Sequence, residues 1–213
     1  MRIGAVERAQ QPWVSAEPGT GISDAVVTAD GQMTDAELQS LVHAGALEHV
    51  LHGIYCLAGS QDVALRAEVI HRLAAPRLAA GFTIIRDTAA WVWCGGTPPR
   101  VLSAAVGHGH RPGAAAHGPR WDLVQCDLAA SSGRPAPAEA DVEQVGPLRI
   151  THRLRTAADL LTHGGVDEVR TAARLLSDAE LRQLSLRLYT PSRRPGIVRA
   201  RRRLEALLAV QVR

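Results

Sequence analysis

Lysine is absent from this chain of 213 residues, so all 24 basic side chains are arginines. In an alanine-rich sequence that bias reflects GC-rich coding, and it removes chemistry. A phosphate-binding loop of the GxxxxGK type, a Schiff-base lysine and a nuclease core that pairs acids with a lysine cannot be built from it. Cysteine is scarce: Cys56, Cys94 and Cys126 are odd in number, widely spaced and without a Cys-x-x-Cys pair. They read as reduced thiols filling a core, not as a disulfide framework or a zinc site. The apolar runs fall short of a membrane span, and the opening residues MRIGAVE carry no secretion signal, so a soluble, cytoplasmic protein is expected. A Gly-x-Ser-x-Gly elbow and a His-x-Glu metal signature are missing too, so the reading is of a protein without catalysis, cofactor or bound metal.

What is present is enough apolar material, 46% of residues with 21% charged, to bury one large core or two small ones. Charge is laid out unevenly. Residues 1–60 hold two arginines and seven acids, a formal −5, while residues 61–148 balance eight against eight. From Arg149 onward fourteen arginines face six acids, a formal +8. The net +3 therefore hides an acidic head and a basic tail.

The pattern predicts an α+β fold, with a winged helix-turn-helix over residues 1–60 followed by a mixed α/β body over 61–213 that ends in helices. A first helix is expected over Met1–Ala16 and a short second one over Ser23–Asp30 with Ser23 as its cap. Thr34-Asp35-Ala36-Glu37 is a capping box that starts a third helix, which buries Leu38, Leu41 and Val42 and stops at Gly45. Ala46–Leu57 alternates as a two-stranded wing that bends at Gly53. In the body, a helix over Asp62–Leu73 ends at Pro76, Thr83–Arg86 is a short strand, and Thr88 caps a helix carrying Trp91 and Trp93. Arg100–Val106, Trp121–Leu128 and Asp141–Thr151 read as strands, the last folded at Gly146-Pro147. Four helices close the chain: His152–His163 with Thr151 as cap, Val166–Leu176, a capping-box helix from Ser177 to Tyr189, and Pro195–Val210.

Several polar features have a plain structural reading. His108, His110 and His117 lie in a Gly/Pro-rich loop and read as solvated. His49 and His52, two residues apart on a strand, fall on opposite faces and do not share a metal. Arg155 and Asp159, one helical turn apart, read as a solvated pair, and Trp91, Trp93 and Trp121 as core or interface anchors.

Three stretches taken together, GQMTDAELQSLVHAGALEHVLHGIYCLAG, HRLAAPRLAAGFTIIRDTAAWVWCGG and GPLRITHRLRTAADLL, resemble the AbiEi family of bacterial antitoxins, especially its actinobacterial members. The resemblance spans nearly the whole chain, and Gly146–Leu160 is its most specific part. It implies a protein that neutralises a cognate nucleotidyltransferase-type toxin and whose winged head binds operator DNA and represses its own operon. The alternative is a transcriptional regulator with no toxin partner. On the head, the residues expected to face DNA are Thr34, Gln39, Ser40, His43, His49 and His52. This wing departs from the family: where relatives carry arginines, it reads Glu48-His49-Val50-Leu51-His52-Gly53. Duplex binding draws on cations that release counterions, so a head of charge −5 repels DNA at long range. At the other end, SRRPGIVRARRRLEALLAV turns Ile197, Leu204, Leu207 and Leu208 inward and leaves Arg193, Arg194, Arg199, Arg202 and Arg203 free to project. Those five are the candidate contacts to an acidic toxin surface.

Overall fold

The structure is a computed structural model, and it describes residues 26–29, 33–78, 81–109, 118–126, 128, 141–189 and 195–211. These residues form a mixed α+β fold with two sheets and seven helices. The first sheet holds β1 (Val26–Thr28), β2 (Leu47–Leu51) and β3 (Ile54–Leu57) in the order β1-β3-β2, all antiparallel. Between β1 and β2 runs α1 (Asp35–His43).

The capping box forms as expected. The Glu37 amide donates to Thr34 Oγ1 at 3.3 Å, and the Thr34 amide donates to Glu37 Oε2 at 2.7 Å. After the helix, Gly45 takes φ +73, the left-handed conformation that lets the chain reverse without a Cβ penalty. The hairpin expected over Ala46–Leu57 also forms: Leu51 pairs with Ile54 across His52 and Gly53, whose φ values of +46 and +73 give the pattern of a type I′ turn.

One expectation for the head fails. Where a helix was expected over Ser23–Asp30, Val26–Thr28 is a strand, paired through Val26 with Cys56 and through Thr28 with Ile54. Three consecutive β-branched residues suit a pleated surface better than a helical turn, and β3 offers the edge that they need. The expected helix over Met1–Ala16 lies outside the described residues.

The second sheet contains β4 (Thr83–Ile84), β5 (Val101–Val106), β6 (Arg120–Gln125), β7 (Val142–Val145) and β8 (Leu148–Thr151), in the order β6-β5-β4-β8-β7. Its pairs β5·β6 and β4·β8 are parallel, and the others are antiparallel. The helices around it are α2 (Val63–Ala74), α3 (Arg86–Cys94), α4 (Arg153–His163), α5 (Val166–Leu175), α6 (Asp178–Tyr189) and α7 (Ile197–Gln211). Asp62 caps α2 by accepting from the Leu65 amide at 2.7 Å, and the helix stops before Pro76.

Two expected caps are displaced. The third residue of α3 is Thr88, and its hydroxyl accepts from the Ser103 amide at 2.8 Å, so it ties helix to sheet instead of closing a helix end. The expected strand over Thr83–Arg86 is correspondingly shorter, because Arg86 already begins α3. Likewise α4 is capped by His152, while the Thr151 hydroxyl turns inward to the Thr156 hydroxyl at 2.7 Å. In both cases the polar side chain is buried, and a buried hydroxyl takes whichever partner packing supplies.

The apolar core is continuous across the expected boundary near residue 60. Val26, Val50, Leu51, Ile54 and Cys56 of the first sheet join one cluster with Ile70 of α2, Trp91 of α3, Ile84 and Ile150 of the second sheet, Leu160 of α4, Leu184 of α6 and Leu204 of α7. On the opposite face of the first sheet, Leu38 of α1 meets Leu47 and Tyr55. The head sheet is thus covered on both faces, which fixes α1 and the wing to the body. No described helix is long and apolar enough to cross a membrane.

Candidate interaction surfaces

The expected DNA-facing residues lie on α1 and the wing as the sequence suggested, but most of their polar atoms are already engaged. Gln39 donates to the hydroxyl of buried Tyr55 at 2.9 Å, and that hydroxyl donates to Asp35 at 2.9 Å. Ser40 donates to the Ala36 carbonyl at 2.9 Å, and His43 Nδ1 lies 2.9 Å from the Gln39 carbonyl oxygen. His49 accepts from the Gly53 amide at 3.3 Å and sets its ring edge-on to Tyr55 with centroids 5.2 Å apart. Thr34 is spent on its capping box. Glu37 therefore places a carboxylate where a phosphate would sit at the helix start, and its interaction with the Thr34 amide and hydroxyl holds its pKa below the usual value.

His52 stands in the tight turn, and its positive φ replaces the strand geometry that would set it opposite His49. Burial first, and then the charges of His49 and Arg77, push its pKa below the ordinary histidine range. At neutral pH it brings no cation to a phosphate. The organising residue of the surface, Tyr55, was not visible as such in the sequence, because its partners Asp35 and Gln39 meet it only through the pairing of sheet and helix. Replacing it tests this arrangement. Tyr55→Phe is expected to lower unfolding free energy by about 1 kcal/mol in urea denaturation, the worth of one bridging hydroxyl whose partners stay hydrated.

The basic surface is built on α7. Gly196, at φ +80, starts that helix against α4 so closely that a Cβ there would come within 2.7 Å of the Thr162 methyl. Ala200 and Leu204 are buried, and Ile197, Leu207 and Leu208 pack beside them. Arg199 and Arg202 stand exposed, and among the described residues neither side chain makes a hydrogen bond or ion pair. Arg203 differs from its expected outward course: its guanidinium donates to the Leu161 carbonyl at 2.9 Å and pins α7 to the end of α4. Arg193 and Arg194 lie outside the described residues.

Elsewhere in the fold is a charge network that i, i+4 spacing alone does not show. Arg155 and Asp159 are not a solvated pair. Arg155 donates to Asp159 at 3.0 Å and to Asp141 at 3.0 Å, all three side chains are less than one-fifth exposed, and Arg187 closes the group by bonding Asp141. Asp141 is the residue before β7 and Arg187 lies on α6, so only the fold assembles the set. For Asp141 burial pushes its pKa up, but the bonds and charges of Arg187 and Arg155 win and hold it low. For Asp159 burial prevails over the pull of Arg155, His163 and Arg86, and its pKa is raised. The asymmetry has a geometric cause: Asp141 has two guanidinium partners, while Asp159 has a share of one.

Two adjoining clefts share Asp87 and Glu168. The larger, about 430 Å³, lies beside Trp91, Gly95, Gly96 and Arg174, and the smaller, about 180 Å³, beside Arg86, Ser103, Asp159 and His163. Burial, and then the charge of Glu168, raise the pKa of Asp87. Ser103, His163 and Asp159 are the residue types of a nucleophilic relay, yet among the described residues no hydrogen bond joins His163 to either partner, the link such chemistry requires. Neither a family model nor a curated protein matches the chain.

Proposed function

We propose that this protein is an antitoxin of the AbiEi type, which neutralises a nucleotidyltransferase-type toxin by binding it, in the cytoplasm and without turnover of its own. The observation that carries the reading is the basic face of α7, where Arg199 and Arg202 are held outward by a helix locked down at Ala200, Arg203 and Leu204. Rigid placement lowers the entropy lost on association, and a cationic face complements the acidic, metal-binding centre expected of such a toxin. The resemblance of the sequence supports the same role. Operator reading is the weaker half of the proposal, since the head is acidic and the donors of α1 are engaged with the protein itself. That balance also disfavours a stand-alone regulator, which would depend on the head entirely.

The test is genetic and biochemical. The gene beside this one is expected to encode a nucleotidyltransferase whose growth arrest is relieved by co-expressing this protein. Arrest that persists under co-expression would refute the reading. Within it, Arg199→Glu combined with Arg202→Glu is expected to weaken toxin binding roughly 30-fold, the scale for reversing two charges at an interface, with unfolding unchanged. Arg203 is left intact in that variant because it holds the helix. On upstream DNA, a mobility-shift titration at two salt concentrations is expected to show a shallow salt dependence, since few phosphates find a cation.

A further inference from the structure

Ser103 holds an unused hydroxyl against the smaller of the two clefts. The residue is 6% exposed, and its backbone is spent on α3: its amide donates to the Thr88 hydroxyl at 2.8 Å and its carbonyl accepts from the Ile85 amide at 3.2 Å. It stands opposite Asp122 in the parallel register of β5 and β6, so the two side chains leave the same face of the sheet, and both line that cleft. Among the described residues the Ser103 hydroxyl has no hydrogen-bond partner. A polar side chain buried to this degree is nearly always bonded, and the cleft is where its partner belongs.

The charges around it define that partner. Asp87 of α3 and Glu168 of α5 line both clefts, and among the described residues neither carboxylate is bonded to a cation. Glu168 accepts from the Gly165 amide at 2.7 Å, while Asp87 makes no hydrogen bond among the described residues. Burial, and then the charge of Glu168, raise the Asp87 pKa, so the two acids repel each other. The nearby cations are committed elsewhere, Arg86 to Asp122 at 2.8 Å and Arg155 to Asp159 at 3.0 Å. Burial, and then the charge of Arg86, hold the His163 pKa below its ordinary value, so at neutral pH it adds no cation. Arg174 beside the larger cleft is exposed, where water and salt screen it. Two glycines keep the wall of the smaller cleft thin: a Cβ at Gly164 would come 2.4 Å from the Glu168 Cβ, and one at Gly165 would come 3.0 Å from its Oε2.

A cation between Asp87 and Glu168 removes their repulsion and brings Ser103 an N–H to accept. Among the described residues no group of three His, Cys, Asp or Glu side chains could hold a metal ion, so the cation is organic. A primary ammonium suits three acceptors, since it carries three N–H donors on one compact charge. The larger cleft, about 430 Å³, runs on past Ala90, Trp91 and Pro99 and has room for an apolar body. We propose that the adjoining clefts between α3, α4, α5 and β5 bind a small primary amine, its ammonium held by Asp87, Glu168 and Ser103 and its apolar body lying along Ala90, Trp91 and Pro99. The site uses none of the residues assigned to toxin or DNA, so it stands or falls apart from the antitoxin reading.

The experiment titrates the full-length protein with phenethylamine and with butylamine in a calorimeter, and with phenethyl alcohol as the uncharged counterpart. Both amines are expected to bind, and the alcohol to bind roughly 100-fold more weakly than phenethylamine, because it brings no charge to the carboxylates. Asp87→Asn and Glu168→Gln are each expected to weaken phenethylamine binding about 20-fold, the worth of one charge-assisted hydrogen bond, and Ser103→Ala about fivefold. Urea unfolding without amine separates binding from folding: Asp87→Asn is expected to keep the wild-type midpoint or to raise it, since it removes a buried carboxylate that has no cation. Binding of phenethylamine that is unchanged in both carboxylate variants overturns the proposal. Equal binding of amine and alcohol, or no binding of either amine to the wild-type protein, overturns it as well.

Discussion

Arg155→Ala is expected to lower unfolding free energy by about 3 kcal/mol, and the melting temperature by roughly 10 °C for a chain of this size. The reason is the uneven sharing of partners in the buried group. Asp141 keeps Arg187 after the substitution, but Asp159 loses the one cation hydrogen-bonded to it among the described residues while remaining largely shielded from water. A carboxylate stranded in that way costs far more than an exposed ion pair is worth. The double variant Arg155→Ala with Asp159→Leu is expected to recover most of the loss, because no stranded charge is left. A melting-temperature change within about 2 °C for the single variant would mean that water reaches the pair, as its i, i+4 spacing alone suggests.

The two acids also give opposite pH dependences. Asp141 has a lowered pKa, so its contribution is present above the ordinary carboxylate range and is lost as pH falls through its folded value. Asp159 has a raised pKa, so its contribution is fully present below its unfolded value and is lost as pH rises through the folded one. In urea titrations from pH 4 to 7, the stability of wild type relative to Asp159→Asn is therefore expected to decline. A relative stability that rises over this range would show that Arg155 outweighs burial at Asp159.

Trp93→Ala is expected to cost about 3–5 kcal/mol, the range for truncating a buried tryptophan. Trp93 is 9% exposed, its indole donates to the Thr151 carbonyl at 2.9 Å, and the Arg153 guanidinium covers its ring at 5.2 Å. It therefore joins α3, β8 and α4 at one point. The Thr151 carbonyl also accepts from the Thr156 hydroxyl at 3.0 Å, so losing the indole does not leave it unpaired. The cost is thus one of volume. Trp93→Phe, which keeps a ring but no donor, is expected to cost only about 1–2 kcal/mol in urea denaturation. Equal costs for the two variants would place the energy in the hydrogen bond and contradict this account.

Elements with strong local signals were legible from the residues alone. The capping boxes at Thr34 and Ser177, the glycine after α1, the wing bent at Gly53 and the ribbon folded at Gly146-Pro147 form where expected. Each depends on side chains and amides within four residues of one another, so the chain nearby holds all the information. The strand at Val26–Thr28 was missed because what recruits it is β3, nearly thirty residues away, and eight residues of weak periodicity do not choose between helix and strand. Thr88 and Thr151 fit the cap pattern locally for a related reason: a threonine beside a helix start is a good local choice until a buried partner competes for its hydroxyl.

The candidate surfaces divide in the same way. That the chain is acidic at one end and basic at the other, that it has no lysine, and that a basic amphipathic helix closes it follow from composition and spacing, which no fold can alter. Which arginines remain free was a matter of packing. Arg199 and Arg202 face water while Arg203, one residue further on, is turned to the Leu161 carbonyl, because at 100° per residue the angle at which α7 meets α4 divides neighbours between solvent and body. The same holds for the head, where Gln39 and His49 are available to a ligand or committed to Tyr55 according to how sheet and helix are juxtaposed. Identity along the chain sets what each group is able to do, and three-dimensional proximity settles which groups are already satisfied and which are left to bind.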